Sequence, residues 1–196
     1  MSIILLLLRL PILVVHILVG LFTILFFPKE PKNFKNTHYR IMMLWMNILS
    51  SILGIKVDIR GIPDQSANLF VSNHVTYLDI IIINKLLPVN FIAKEEISSW
   101  PVIGRLASKT GTLFIKRGDN VESTKMIYEM EERFKLQNKI VFFPEGKIGN
   151  GKRVRKFHYK LFKSIENKEL YIQPIAIRYP IGCLLYTSPS PRDKRL

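Results

Sequence analysis

The heptapeptide at residues 73–79 (NHVTYLD) carries a histidine and a carboxylate in a setting that favours chemistry. His74 and Asp79 lie five positions apart, between the apolar runs 69–71 and 80–83. Short apolar runs bounded by polar residues are typical of buried strands, so we expect His74 just past a strand end. An imidazole, with an ordinary pKa of about 6.5, takes a proton from an alcohol near neutral pH, and a carboxylate on its far nitrogen fixes the tautomer. The pattern indicates general base catalysis.

The spacing of His74 and Asp79 sets a condition on the backbone between them. Residues five apart on a helix point about 140° away from each other, so the pair meets only if the histidine lies on a turn folded back over the helix start. Thr76, three residues before Asp79, resembles a helix N-cap with an acid in the first turn. The alternative is a capping Asp beside a surface His. A zinc site is disfavoured, because no second His or Cys has ligand spacing nearby.

Three further stretches supply charge or a carboxylate near strand ends. Arg117 closes a strand-like run, where a guanidinium can hold phosphate through two hydrogen bonds; a solvated surface Arg is the alternative. Glu145 could accept a substrate hydroxyl while Gly146 lets a ligand approach the backbone, although a plain turn is the alternative. Residues 147–163 contain no acid and form a basic segment for anionic headgroups, or a generic cytoplasmic-face patch. Its cations are Lys147, Lys152, Arg153, Arg155, Lys156, Lys160 and Lys163.

Together these stretches resemble the conserved blocks of the glycerolipid acyltransferases, a family that includes the 1-acylglycerol-3-phosphate (lysophosphatidic acid) acyltransferases. The chain has an Asn-His-x4-Asp, a Gly-x-x-Phe-Ile-x-Arg, a Phe-Pro-Glu-Gly and an apolar-Pro block in the family's order. They stand at residues 73–79, 111–117, 143–146 and 172–176. One block is weak support, whereas four in order are specific. The resemblance covers residues 57–180, and the preceding hydrophobic helices are also usual in the family.

The resemblance implies a role for each matched residue. His74 would be the catalytic base that activates the acceptor hydroxyl, and Asp79 would orient it. The residues expected to bind substrate are Asn73, Arg117, Glu145, Gly146, Lys147 and Pro174, the last by shaping the acyl site. The acyl group would come from a thioester on coenzyme A or acyl carrier protein as co-substrate. No bound cofactor, metal or acyl-enzyme is expected.

After Gly146 the sequence departs from the family's pattern. Members that form phosphatidate usually have Thr or Ser and then Arg, Thr or Ser, whereas this chain has KIGNG at residues 147–151. The expected reaction is acyl transfer to lysophosphatidic acid, giving phosphatidic acid in phospholipid biosynthesis. The departure leaves open another acceptor, a lysophospholipid or a lyso-aminolipid. The charge of Lys147 would still suit a phosphate.

The elements that must position these residues alternate between strands and helices. Predicted strands cover residues 57–61, 69–72, 90–94, 111–118, 140–143 and 170–179, and predicted helices cover 78–87, 95–108 and 121–137. Such alternation predicts an α/β fold with a mainly parallel, mixed sheet covered by helices. In open α/β sheets ligands bind outside the carboxyl ends of the strands, where the heptapeptide lies.

Two apolar stretches precede the domain. Residues 10–27 form an uncharged stretch of about 27 Å as a helix, which we interpret as a retained membrane anchor. The alternative, a signal peptide, lacks a small-x-small cleavage site. Cations crowd the C-terminal flank, so the positive-inside rule places the remainder, attached as a single-pass or monotopic protein, on the cytoplasmic face. Residues 39–55 predict a second helix, either packed on the core or lying in the membrane interface with Trp45 at headgroup level.

The length and the net charge of the chain limit the kinds of partner that it can have. The chain has 196 residues, a formal net charge of +14 and one cysteine. This fits one domain without an internal disulfide and with an anionic partner. We expect a lysophospholipid acceptor, the acyl donor and anionic membrane lipid, and no nucleic acid, because the interleaved aromatics of a single-strand binder are missing. A non-catalytic membrane scaffold is the alternative, although it has no use for His74.

These observations divide the chain into three segments. Residues 1–55 form the membrane anchor and interfacial helix. Residues 56–181 form the domain that resembles the acyltransferases, which we expect to be truncated at its C-terminus. Residues 182–196 are rich in Ser and Pro, and we interpret them as a disordered, non-native tail; a native disordered tail is the alternative.

Overall fold

The computed structural model of the protein describes residues 3–28, 34–116, 120–149, 153, 155–166 and 168–180. The helices are α1 (Ile3–Thr23), α2 (Asn36–Ile52), α3 (Leu78–Leu86), α4 (Ile103–Lys109) and α5 (Asn120–Lys135). The strands are β1 (Ala67–Ser72), β2 (Val89–Lys94), β3 (Leu113–Ile115), β4 (Lys139–Phe142) and β5 (Tyr171–Ile175). Short 3₁₀ helices cover Ile24–Phe26, Glu95–Ser99 and Tyr159–Ile165. The tail at residues 182–196, Arg117 and parts of the basic segment lie outside the described residues.

The five strands form one sheet in the order β3-β2-β4-β1-β5, and all four pairings between them are parallel. The prediction of a mainly parallel α/β sheet is therefore confirmed. β1 lies between β4 and β5, with Phe70 opposite Val141 on one side and Gln173 on the other. Because every strand runs in the same direction, the segments that follow β1, β4 and β5 all leave the sheet at the carboxyl end of the strands.

Helices cover both faces of the sheet. Leu69 and Phe70 are both fully buried but belong to different hydrophobic clusters, as expected for neighbouring strand residues that point to opposite faces. On one face α5 contributes side chains four residues apart, Met126, Met130 and Phe134. On the other face Ile83 of α3 packs on the sheet. Alternation in the strands and helical spacing in α5 explain why these segments form a two-sided core.

The two N-terminal helices add layers outside α3. α2 packs on α3, and the buried hydroxyl of Tyr39 lies 2.9 Å from Asn90 Oδ1 and 3.1 Å from Asn138 Oδ1 at the amino ends of β2 and β4. α2 is thus packed on the domain, which is one of the two interpretations of the helix predicted at residues 39–55. Its Trp45 stacks on His16 of α1, with ring centroids 4.5 Å apart.

One helical stretch in the described part of the chain, formed by most of α1 and the 3₁₀ helix that follows it, is long and apolar enough to cross a membrane. That stretch, Leu7–Phe26, has a mean hydropathy of 2.3, and 17% of it is buried. A core helix or a signal sequence can pass the same test of length and composition. The criterion therefore makes α1 a candidate span and assigns it no orientation.

Two local predictions were wrong. Residues 57–61 alternate like a strand but have no regular secondary structure, because a side chain rather than a backbone ladder links their region to the sheet edge. Gln173 of β5 accepts the N–H of Asp64 at 2.8 Å and donates to the carbonyl of Ile62 at 3.4 Å. The predicted N-cap of α3 at Thr76 also differs, since α3 begins at Leu78 with Tyr77 as its flanking residue.

Candidate active site

His74 lies on the turn between β1 and α3, where it meets Asp79. Its Nδ1 is 2.8 Å from Asp79 Oδ2. The carboxylate side chain is 0% exposed, whereas that of the histidine is 13% exposed. The predicted fold-back of this turn over the helix start is therefore present, and it brings the side chains of His74 and Asp79 together.

The Asp79 carboxylate itself holds the turn in place. Its Oδ2 also accepts the backbone N–H groups of Val75 at 2.6 Å and Thr76 at 3.0 Å. These are N–H groups just ahead of α3, which an acid in the first turn can satisfy. The carboxylate reaching back thus organises the helix start together with the turn that carries His74, and the Thr76 hydroxyl oxygen accepts the N–H of Leu78 at 3.4 Å.

The surroundings of the imidazole define what it can do. With Nδ1 bound to a carboxylate, Nε2 is the nitrogen that can accept a proton. The ring stacks on Phe143, which follows β4, with centroids 4.0 Å apart and planes 13° from parallel. An aromatic face attracts a cation, so it favours the imidazolium that proton transfer creates. This arrangement suits a general base.

Glu145 and Gly146 lie beside His74 because β4 is the neighbour of β1. The Glu145 side chain is buried, and both of its oxygens accept backbone N–H groups: Oε1 from His74 at 3.2 Å and Oε2 from Arg155 at 2.9 Å. Gly146 has a φ of 70°, which favours glycine, and its N–H bonds to the carbonyl of Phe143 at 3.0 Å. The turn therefore directs the carboxylate towards the protein's own backbone.

The basic segment is attached to the same turn. The N–H of Gly149 donates to the carbonyl of His74 at 2.7 Å, and the N–H of His158 donates to the carbonyl of Pro144 at 2.8 Å. Lys147 is exposed between these contacts. The segment that departs from the expected family pattern thus contacts the backbone of His74.

The side-chain amide of Asn73 is hydrogen-bonded to the backbone of a distant segment of the chain. Its Nδ2 donates to the carbonyl of Ile177 at 2.9 Å, and its Oδ1 accepts the N–H of Ile177 at 2.7 Å. The structure thus shows the Asn73 amide tying the extension of β5 to the turn that carries His74. Substrate binding by Asn73 stays a prediction.

Tyr179 is a site residue that the sequence analysis did not identify. Its hydroxyl donates to Asp79 Oδ1 at 2.6 Å across 100 positions of sequence. The four-block resemblance runs past this position without assigning it a role. No local spacing could reveal the contact, because it depends on β5 lying next to β1.

The remaining predicted site residues fall in three places. Arg117 lies outside the described residues, two positions beyond β3. Pro174 lies on β5 opposite Val71, at an edge of the sheet where a strand proline costs no ladder bond. It borders a groove of about 1120 Å³ between residues 54–63, one side of α3 and residues 173–180, and both Thr76 and Tyr179 line that groove. In the part of the chain that is described, no three His, Cys, Asp or Glu side chains are grouped to hold a metal ion.

Comparisons with known proteins agree on one family. The family model described as Acyltransferase matches residues 55–178. The chain is 35% identical over 140 residues to a lyso-ornithine lipid O-acyltransferase of Pseudomonas aeruginosa, covering 71% of this chain and 54% of that protein. It is 30% identical over 147 residues to a 1-acyl-sn-glycerol-3-phosphate acyltransferase of Neisseria gonorrhoeae, covering 74% of this chain and 57% of that protein. The chain thus spans about half the length of these relatives.

A solved structure shares the fold. The crystal structure of the 1-acyl-sn-glycerophosphate (LPA) acyltransferase PlsC from Thermotoga maritima superposes with a TM-score of 0.55 at 19% sequence identity. The match covers 68% of this chain and 55% of that one. At this level of identity the likeness concerns the fold alone.

Proposed function

The chain belongs to the acyltransferase family, and we propose that it transfers a fatty acyl group from a thioester donor to the free hydroxyl of a lysolipid. One observation carries the proposal: the contact of 2.8 Å between His74 Nδ1 and Asp79 Oδ2 at the carboxyl end of an interior parallel strand. The donor is an acyl thioester of coenzyme A or acyl carrier protein. The acceptor is lysophosphatidic acid, and the product is phosphatidic acid.

In the proposed reaction His74 acts through Nε2. It takes the proton of the acceptor hydroxyl as the oxygen attacks the carbonyl carbon of the thioester. The C–S bond then breaks, and the departing sulfur receives that proton from the imidazolium. Asp79 and the face of Phe143 stabilise the imidazolium while it exists. The acyl group passes directly between the two substrates, so no acyl-enzyme forms.

The anionic headgroup of the acceptor is assigned to the basic side of the site. Lys147 is the nearest cation in sequence to the Glu145 turn, and Arg117 is the second of two cations that follow β3. The hydrogen bond from Arg155 N to Glu145 supports this assignment, because it keeps the basic segment beside the base. Gly146 leaves the backbone there open to close approach.

The acyl chain is assigned to the groove bordered by Pro174. Aliphatic side chains of α3 line one wall, and residues 54–63, which follow α2, line another. The groove is lined by Thr76 and Tyr179, which both contact the Asp79 carboxylate. A chain lying there would leave its reacting end near the base. The donor and acceptor could each supply the chain, since both carry one.

Attachment to a membrane follows from α1 and the net charge. A lysolipid resides in a bilayer, and the exposed apolar surface of α1 suits the hydrocarbon region. Anionic lipid would attract a chain with a net charge of +14. We propose the cytoplasmic face for the catalytic domain, because the cations that follow the first apolar stretch favour that side under the positive-inside rule.

The test uses membranes that contain the full chain, a labelled acyl thioester and lysophosphatidic acid. We expect labelled phosphatidic acid with the wild-type chain, none above background with His74→Ala, and undiminished product with the matched control His38→Ala on α2. Folded wild-type protein that acylates no lysolipid would contradict the proposal and favour a non-catalytic scaffold.

A second acceptor is favoured by residues 147–149. This segment departs from the pattern of phosphatidate-forming enzymes, and its Gly149 is hydrogen-bonded to the carbonyl of His74. Two of the relatives, at 35% identity each, are named lyso-ornithine lipid O-acyltransferases. A competition assay with equal amounts of lyso-ornithine lipid and lysophosphatidic acid separates the candidates. Label entering only the ornithine lipid would keep the mechanism and replace the acceptor.

A further inference from the structure

The two oxygens of the Asp79 carboxylate have different partners. Oδ2 takes the imidazole Nδ1 and the N–H groups of Val75 and Thr76, all of them within the turn itself. Oδ1 faces away from the turn and receives the Tyr179 hydroxyl at 2.6 Å. Since the carboxylate is fully buried, an Oδ1 without a donor would cost free energy. The phenol therefore completes the hydrogen bonding of a buried charge.

The backbone that carries Tyr179 is held in place from the same turn. Ile177, two residues earlier, exchanges two hydrogen bonds with the Asn73 side chain, which directly precedes the base. Upstream, Pro174 and Ile175 pair with Val71 and Ser72 of β1. The extension of β5 thus runs alongside the heptapeptide from β1 to Asp79. The phenol reaches the carboxylate from a supported strand rather than from a free end.

We infer that Tyr179 is a positioning residue for His74, acting through Asp79; the inference rests on the proposed function. Its hydrogen bond fixes the plane of the carboxylate, so that Oδ2 faces Nδ1 and the tautomer with a basic Nε2 is maintained. It also draws charge away from the carboxylate, which favours the neutral imidazole before reaction. The phenol keeps its proton throughout. Two hydrogen bonds thus connect Tyr179 to Asp79 and Asp79 to His74.

The charged and titratable groups around His74 determine the direction in which the pH profile should move when the Tyr179 hydroxyl is removed. Asp79 contacts the ring, Glu145 is bound to the backbone N–H of His74, and the Tyr77 ring lies 6.5 Å from the imidazole centroid. Removing the phenol leaves the Asp79 charge less dispersed, so the acid limb of the pH profile of Tyr179→Phe should lie at higher pH than that of wild type.

The first experiment compares Tyr179→Phe with Tyr128→Phe, a loss of the same hydroxyl at an exposed position of α5. For Tyr179→Phe we expect kcat to fall about tenfold, KM to stay within about twofold, and the acid limb of the pH profile to move to higher pH. Tyr128→Phe should match wild type in all three. An unchanged kcat and acid limb would overturn the inference, as would a rise in KM alone, which would make Tyr179 a groove residue.

The second experiment needs no turnover. Nitrogen-15 spectra of histidine-labelled full-length protein in detergent report the tautomer and titration of His74, assigned by its absence from His74→Ala. Wild type should show one tautomer protonated at Nδ1, and Tyr179→Phe a mixed tautomer with a titration midpoint at higher pH. Identical spectra would overturn the inference even if the protein acylates lysolipids. If no lysolipid is acylated, the proposed function fails and these spectra still decide the role of Tyr179.

Discussion

At the scale of single residues, the site is a set of side chains bound to the protein's own backbone. Asp79 holds two N–H groups of its turn, Glu145 holds one from His74 and one from Arg155, and Asn73 holds both groups of Ile177. Each contact restricts the backbone on which the base lies. A histidine on a loop gains a defined position in this way, which general base catalysis requires.

Glu145→Gln tests how much of this restriction depends on the carboxylate. A glutamine has one acceptor oxygen, so one of the two backbone N–H groups would face an amide NH₂. We expect the free energy of unfolding to fall by about 1–3 kcal/mol, with a lower kcat. Thermal unfolding in detergent measures the change.

The control is Glu96→Gln, which alters an exposed carboxylate on the 3₁₀ helix before α4 and should leave the melting temperature unchanged. The resemblance to the family implies another outcome, in which Glu145 binds the acceptor. A raised KM for the lysolipid with an unchanged melting temperature would support that role over the one argued from the hydrogen bonds.

At the scale of elements, the N-terminal helices are joined to the sheet by specific polar contacts as well as by apolar packing. Trp45 donates its indole N–H to the carbonyl of His16 at 3.2 Å, and a His16 ring nitrogen lies 3.1 Å from the carbonyl of Trp45. Gly20 permits this approach, because a Cβ there would stand 2.7 Å from the indole nitrogen. At the other side of α2, Tyr39 reaches the amides of Asn90 and Asn138. These contacts fix the position of α1 relative to α2 and of α2 relative to the sheet.

The Tyr39 contact should make stability depend on alkaline pH. Burial raises the pKa of Tyr39 from 10.0 to about 12, although the charge of Arg133 and the bond with Asn90 act to lower it. Below pH 10 the phenol is protonated in both the folded and unfolded chain, so its contribution is fully present. As the pH rises from 10 towards 12, the unfolded chain ionises first, and roughly 3 kcal/mol of stability is lost.

Urea unfolding at about pH 8 and about pH 11 measures this loss. Tyr39→Phe should be less stable than wild type at the lower pH, because it leaves the two amides without the phenol. It should lose less stability than wild type between the two pH values. Equal losses in the two proteins would show that Tyr39 ionises freely in the fold.

At the scale of the whole molecule, apolar and cationic surfaces occur together. α1 exposes large aliphatic side chains along most of its length, and the chain carries 29 basic against 15 acidic residues. The described part of the basic segment is largely exposed and attached to the site. A surface that combines both properties suits an anionic bilayer, where α1 supplies burial and the cations supply attraction.

Binding to lipid vesicles should therefore have two components. We expect the protein to float with phosphatidylglycerol vesicles more completely than with phosphatidylcholine vesicles. The difference should vanish at about 1 M salt, where the screening length falls to about 3 Å. The binding that remains is assigned to α1. Equal binding to both vesicles at low salt would contradict an electrostatic component.

Charge-removing variants locate that component. Replacing Arg153, Arg155 and Lys156 with Gln should reduce the salt-sensitive part of binding. Replacing Lys125 and Lys135 on α5 removes charge from another surface of the domain and should have a smaller effect per charge. The same loss per charge in both variants would assign the attraction to net charge rather than to the basic segment.

The features that depend on local spacing could be predicted from the order of the residues alone. Strand and helix alternation predicted the parallel sheet, and the four blocks led to the family and to a candidate base, His74, at the end of β1. Tertiary structure decided the partners of the site residues. The order of the strands places β1 between β4 and β5, so the turn bearing His74 meets Glu145 and Tyr179, which lie 71 and 105 positions further along the chain. Spacing in a sequence cannot contain such contacts, because they exist only once the neighbouring strands have paired.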